Sequence, residues 1–212
     1  MSNDRLAIPL SEHLRPSCLM DLTLSTWEIN RFQRMIGSGT ISNMIFYGPP
    51  GTGKTSAARI ICRDVDADVF SVDGANERSG KIILHDVPSF VRTVSLFDQR
   101  KIVVIDEGEF MTRKDQVSLR TTIEDSYDIC RFLITTNDLK RIDKAIQSRM
   151  ASINFSVAMT NAKEIVDRLI ARFAAKLDDL NVVYDLAELR GIVMAYFPDF
   201  RQTLNRIEFR FG

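Results

Sequence analysis

Residues 48–55 read GPPGTGKT, and the fold turns on how that stretch is taken. It satisfies the spacing G-x-x-x-x-G-K-[ST] in full. The flanks give the spacing its meaning. NMIFY (43–47) is a short apolar run of strand type, and residues from about 53 to 65 read as a helix. In a strand–loop–helix of this kind, glycines let main-chain N–H groups turn inward around phosphate oxygens, and the new helix adds its positive end. Gly51, Thr52, Gly53, Lys54, Thr55 and Ser56 are the expected cradle. Lys54 has the reach for the β- and γ-phosphates of ATP, and the Thr55 hydroxyl suits Mg2+.

Working outward, DVFSV (68–72), KIVVID (101–106), RFLITT (131–136) and ASINF (151–155) read as further strands. Helical stretches are expected over 24–37, 80–97 and 113–126. In the first of these, Ser25 and Glu28 form a capping box, Trp27, Phe32, Met35 and Ile36 share a face, and Gly37 is the stop. KIVVID is continuously apolar, as strands covered on both faces tend to be. Strands alternating with helices imply βαβ units and a parallel sheet sandwiched by helices. After Phe155 the pattern becomes helical only: a stripe through Ile165, Leu169, Ile170, Phe173, Ala174 and Leu177, then two shorter helices separated by Pro198. The expected architecture is an α/β nucleotide-binding domain over 1–156, with a P-loop sheet, followed by a small all-helical lid over 157–212.

Two further positions fall at strand ends. Asp106 and Glu107 close the third strand; an Asp there is placed to hold the metal through water, and Glu107 is the candidate base that orients the attacking water. Asn137 closes the fourth in ITTN, where its amide can position water near the γ-phosphate. The bulk numbers neither add to this nor oppose it. Lys+Arg and Asp+Glu are both 28, so the net charge is zero and no global basicity advertises nucleic acid. Cys18, Cys62 and Cys130 lie far apart, as do His13 and His85, so no zinc or disulfide spacing is present. The opening MSNDRLAIPL lacks the apolar core of a secretory signal, and no apolar run approaches the ~20 residues of a membrane span. A reduced cytoplasm fits, with no membrane partner.

The order GPPGTGKT, VVIDE, ITTN, QSR and a helical lid resembles the AAA+ ATPases. The opening LSEHLRPSCLMDL is narrower. Through Glu12, Arg15, Pro16 and Asp21 it resembles the EKYRP…L…D opening of clamp-loader ATPases. DVDADVFSVDGAN and FPDFRQTLN resemble bacteriophage members of that family, of the large-subunit type. The resemblance implies a Mg-ATP-dependent motor subunit in a hetero-oligomeric ring that places a sliding clamp on primer–template DNA; a phage-encoded chain would work in the host bacterial cytoplasm.

It also implies roles residue by residue. Arg149, in the Ser148–Arg149 pair, would be an arginine finger reaching a neighbouring subunit's γ-phosphate, so that hydrolysis depends on assembly. Arg201 would be the lid arginine that touches the subunit's own ATP. Glu12, His13, Leu14, Arg15 and Thr23 would surround the adenine. Arg78, Ser79 and Lys81, in NERSGKI (76–82), would meet DNA phosphates, joined by Arg113, Lys114 and Arg120; the same charges also suit a solvated face.

The sequence departs from the family in having Leu14 where an aromatic residue is usual and Met150 where a cysteine follows Ser-Arg. The family's third, helical collar domain is not expected within these 212 residues, which leaves self-assembly of the chain open. Two other readings remain: another AAA+ remodelling ATPase, such as a helicase loader or branch-migration motor, and a scaffold that binds nucleotide without hydrolysing it.

Overall fold

Five strands form one parallel sheet in the order β2-β3-β4-β1-β5: β1 Met44–Tyr47, β2 Asp68–Asp73, β3 Lys101–Asp106, β4 Cys130–Thr136 and β5 Ala151–Asn154. The computed structural model describes residues 8–95, 99–156 and 162–212. Before, between and after the strands come α1 Leu10–His13, α2 Thr26–Gly37, α3 Lys54–Asp64, α4 Ser79–Lys81, α5 Val87–Arg92, α6 Arg113–Asp125, α7 Lys144–Gln147, α8 Ala162–Asp179, α9 Leu186–Tyr196 and α10 Phe200–Phe211. Each expected strand is present, and the helices expected over 24–37, about 53–65 and 113–126 are too, with ends shifted by a residue or two.

The order of strands decides where function can sit. The chain leaves β1 for the far edge at β2, returns through β3 and β4 to β1's side, and ends on β1's other flank as β5. Tyr47 pairs with Thr136, and Ile105 with Ile134. The residues just past those ends, Gly48, Asp106 and Asn137, therefore emerge side by side along one edge of the sheet. This is where open α/β sheets bind ligands.

The sheet is fixed by what it covers. Ile45, Val103, Ile105, Phe132 and Ile134 are fully buried and pack with Ile83, Val87, Leu119 and Ile123 from the helices. Each such side chain contributes about 1.5–3 kcal/mol relative to exposure. Phe32, Phe46 and Phe155 form a second aromatic cluster, with ring centroids 5.8 and 5.2 Å apart.

Two expectations are corrected by this packing. Trp27 is not on the buried face of α2: it is 63% exposed, while Ile29 and Phe32 are buried. Five residues separate 27 from 32, which at ~100° per residue puts them well apart around the helix. The Ser25–Glu28 capping box itself is made, with the Ser25 N–H and hydroxyl both donating to Glu28 Oε2. The helix expected over 80–97 instead runs from Ser79 to Arg92 and widens to a π turn over Ile82–Asp86. It stops there because the Lys101 ammonium, buried at the start of β3, takes the Phe90 carbonyl and the Thr93 carbonyl and hydroxyl. A cation on the last carbonyls is a natural helix terminus. Positions 96 and 97 of that expectation lie outside the described residues, as does residue 157, where the lid was expected to begin.

The chain divides into two compact units. One holds residues 30–49 and 54–156, the sheet and its helices. The other joins the segment up to Ile29 and Pro50–Gly53 to the C-terminal residues. The sequence assigned the N-terminal segment to the nucleotide-binding domain; it groups with the C-terminal helices because Leu10 and Leu14 are buried in their core, with Ile165, Phe173, Leu189 and Leu204. Polar pins hold the segment as well. Arg172 pairs with Asp21 at 2.8 Å and donates to the Leu14 and Arg15 carbonyls, and Arg168 donates to those of Leu22 and Leu24. Burial alone would raise the Asp21 carboxyl. Hydrogen bonds from Ser17 and Cys18, with the Arg172 charge, outweigh it and hold the group below the usual carboxylate range. In the same unit, α9 and α10 are capped by Asp185 and Asp199.

Candidate functional site

In the sheet unit, the expected residues converge at the strand ends. Lys54 opens α3, is buried, and directs Nζ to the Gly48 carbonyl (2.9 Å), the Pro49 carbonyl (2.7 Å) and Asn137 Oδ1 (2.9 Å). An ammonium already collecting acceptors at the loop is poised to exchange them for phosphate oxygens. Gly48 has φ 143°, and a Cβ there would stand 3.1 Å from the Phe155 and Ser156 backbone. The loop can leave β1 in this direction only with glycine.

Thr55, one residue into α3, donates from its hydroxyl to Asp106 Oδ1 at 2.9 Å. Thr135 donates to the same oxygen and, through its own hydroxyl oxygen, accepts the Glu107 N–H at 3.1 Å. A hydroxyl and a carboxylate meeting at one point are hard oxygen donors suited to Mg2+, which takes one or two protein groups and fills its octahedron with water and phosphate. Glu107 is exposed and has φ 53°, a left-handed turn that ends β3 and points the chain away from the sheet.

Sequence reasoning missed two members of this network. Thr135 was hidden inside an ordinary strand run. Glu109, two residues past Glu107, is buried and accepts from the Asn137 main chain and side-chain amide. The only sequence signal was an acid spaced two residues beyond the expected base.

In the helical unit, Pro50–Gly53 are held by three contacts. Thr23 donates to the Thr52 carbonyl at 2.7 Å, the Phe200 N–H donates to the Gly51 carbonyl at 2.8 Å, and Leu22 packs on Gly53. Gly51 has φ 76°, and a Cβ there would collide with Asp199 Oδ1. The start of α10 is thus bonded to the phosphate loop, and exposed Arg201 lies in its first turn. Thr23 faces the loop backbone. Leu14 is a fully buried core residue, and Glu12 and Arg15 pair with each other at 2.8 Å on the surface beside half-buried His13. Ser56 is half-buried in the first turn of α3.

Arg149 lies at the other end of the sheet. It precedes β5, whose first residue, Ala151, pairs with Met44 at the start of β1. Four strand residues, about 13 Å, separate that level from Gly48. The guanidinium donates to the Ala145 carbonyl at 2.6 Å and pairs with Glu124 at 2.5 Å, the two side chains 38% and 43% exposed. Of the charges considered for DNA, Arg78, Lys81, Arg113 and Lys114 are exposed and Arg120 is half-buried. Ser79 is buried, its hydroxyl donating to the Gly74 carbonyl, so it is part of the fold and not a free phosphate donor.

A parallel sheet with this strand order, and a glycine loop, lysine, Thr–Asp pair and asparagine at one edge, defines a P-loop nucleotide-binding protein. Comparison with known proteins sharpens the class. The profile of the ATPase family associated with various cellular activities (AAA) matches residues 44–158, and the chain belongs to that family. It is 28% identical over 203 residues to the sliding-clamp-loader large subunit of Escherichia phage RB69, covering 94% of this chain and 63% of that one. It is 31% identical over 204 residues to the replication factor C small subunit of Saccharolobus solfataricus, covering 93% and 60%. The chain thus spans less than two thirds of the length of these relatives. Among solved structures, the Thermotoga maritima RuvB Holliday junction branch migration motor superposes with a TM-score of 0.65 at 20% identity over 93% of this chain and 65% of that one, a likeness of fold.

Proposed function

We propose that the chain is the ATP-binding and ATP-hydrolysing part of a sliding-clamp loader, acting with other loader subunits on a clamp and primer–template DNA. The observation that carries this reading is the similarity to clamp-loader subunits of phage, archaeal and plant origin along more than nine tenths of the chain.

In this reading the phosphate loop and Lys54 receive the triphosphate, and Lys54 exchanges its carbonyl partners for phosphate oxygens. Thr55 and Asp106 would hold Mg2+, which when bound draws charge from the phosphate oxygens. Glu107 takes the proton of the attacking water, and Asn137 positions that water. Arg149, at the opposite end of the sheet from its own loop, stabilises charge on a neighbour's γ-phosphoryl. Arg201 reports the nucleotide state to α10, and Arg78, Lys81 and Arg113 supply backbone contacts to DNA. Among the described residues no helix is long and apolar enough to cross a membrane.

The test is the ATPase rate over a range of protein concentration, with and without a sliding clamp, partner subunits and primed DNA. A rate that rises with assembly and with both ligands supports the reading. A rate indifferent to the clamp but raised by branched DNA would favour a branch-migration motor, whose fold the chain shares.

A further inference from the structure

Glu109 is the acid that the reaction scheme above leaves unused. It is 9% exposed, and among the described residues it makes no ion pair. Its Oε1 accepts from the Asn137 main-chain N–H at 3.2 Å and from Asn137 Nδ2 at 2.6 Å; its Oε2 is buried with no hydrogen-bond partner among the described residues. On the other side of the same amide, Oδ1 accepts from Lys54 Nζ at 2.9 Å. A carboxylate can only accept and an ammonium can only donate. Asn137 is caught between them with one consistent orientation: nitrogen to Glu109, oxygen to the phosphate loop.

The local backbone exists to make this contact. Glu107 turns left-handed, and Gly108 follows pressed against β4, where a Cβ would stand 2.6 Å from Ile134 Cγ2. With no side chain at 108, the turn tucks under β4 and brings Glu109 beneath the strand's last residues. A buried carboxylate oxygen without a partner opposes folding. An apolar residue of the same size would fill the space at lower cost.

We propose that Glu109 is a positioning residue for hydrolysis: it clamps the Asn137 amide so that Oδ1 is presented toward the phosphates. The inference rests on the ATPase reading above. It makes Asn137 a hydrogen-bond acceptor in the reaction and not a donor to a phosphate oxygen. When Lys54 moves its bonds to phosphate, Oδ1 is vacated. It can then accept one O–H of the attacking water while the other O–H faces Glu107.

The test compares Glu109→Met, which fills the space without an acceptor, with Glu109→Gln, which keeps one acceptor oxygen. Both are assayed as the assembled loader with clamp and primed DNA. Glu109→Met is expected to lower kcat about tenfold through misplacement of the water-orienting group. KM for ATP and affinity for a non-hydrolysable ATP analogue should be unchanged, and thermal stability equal to wild type or higher. Glu109→Gln should keep most of kcat. An unchanged kcat in Glu109→Met, beside an active wild type, overturns the inference alone; an inactive wild type removes the ATPase reading beneath it. If Glu109→Met does not fold, solvent exchange of the Asn137 side-chain amide in the wild-type protein decides. Slow exchange supports the clamp, and exchange as fast as that of a surface asparagine overturns it.

Discussion

At one end of the parallel sheet, hydrogen bonds tie Lys54 to Asn137 and Asn137 to Glu109, and tie Thr55 and Thr135 to Asp106, at strand termini whose register is fixed by a buried core. At the other end, Arg149 stands about 38% exposed and is held by a surface carboxylate and a carbonyl of its own turn. Both ends belong to the same unit, so folding could have buried either. The difference is that the chain's own hydrogen bonds order the phosphate-binding end, while Arg149 is held at the surface; in the function proposed above, the arginine end is completed from outside. A cation 13 Å or so from its own loop along a rigid strand does not swing across; in the function proposed above, it serves a pocket that another molecule brings.

The sharpest way to break that contrast is at Arg149. In the assembled loader, Arg149→Ala is expected to cut stimulated hydrolysis by about 10³-fold, the scale of an arginine finger, while ATP binding by the single chain is unchanged. Equal turnover by dilute and assembled wild-type protein would refute the division of labour. At the preorganised end, Lys54→Ala should weaken ATP binding about 100-fold, since a buried charge-assisted contact to phosphate is lost; equilibrium titration with a fluorescent ATP analogue measures it. Thr135→Val tests whether the network matters beyond the residues that meet ATP. It removes one hydroxyl that serves both Asp106 and the Glu107 N–H, and should lower kcat about tenfold by the loss of a hydrogen bond to a charged group. The smallest effect is expected from Glu124→Gln. A surface ion pair contributes under about 1 kcal/mol, so melting temperature should barely move, and the rate in the assembled loader should hold or rise slightly as Arg149 is released.

What could be read in the sequence follows the same division. The phosphate loop, the Asp106–Glu107 step and Asn137 were legible because each is a local pattern at the end of an apolar run, and strand register then brings the three together. Arg149's partner was not: Glu124 lies 25 positions away on α6, and an ion pair between two surface side chains leaves no periodic trace. Glu109 was not legible because a buried acid and a solvated one look alike until the glycine before it is seen pressed on Ile134. Trp27 was not legible as exposed because it was grouped with Phe32 on one face, where the helical angle sets the two well apart. The grouping of residues 8–29 with the last helices was invisible for a similar reason. Leu10 and Leu14 are two apolar residues in a short polar stretch, and only the stripe on α8 shows what they cover.

That last grouping bears on how the molecule can be cut. The family-matched stretch, 44–158, contains the whole sheet, and a fragment trimmed to it would look self-sufficient on paper. Removing only the first two dozen residues would be worse for the remainder. The groove on the C-terminal helices that Leu10 and Leu14 fill would open to water, and Arg172 would lose Asp21 and two carbonyls at once. Such a piece would tend to clump and to be clipped by proteases. The leading segment behaves as a tether stitched across the C-terminal helices, so residues 8–29 and 162–212 must be expressed together.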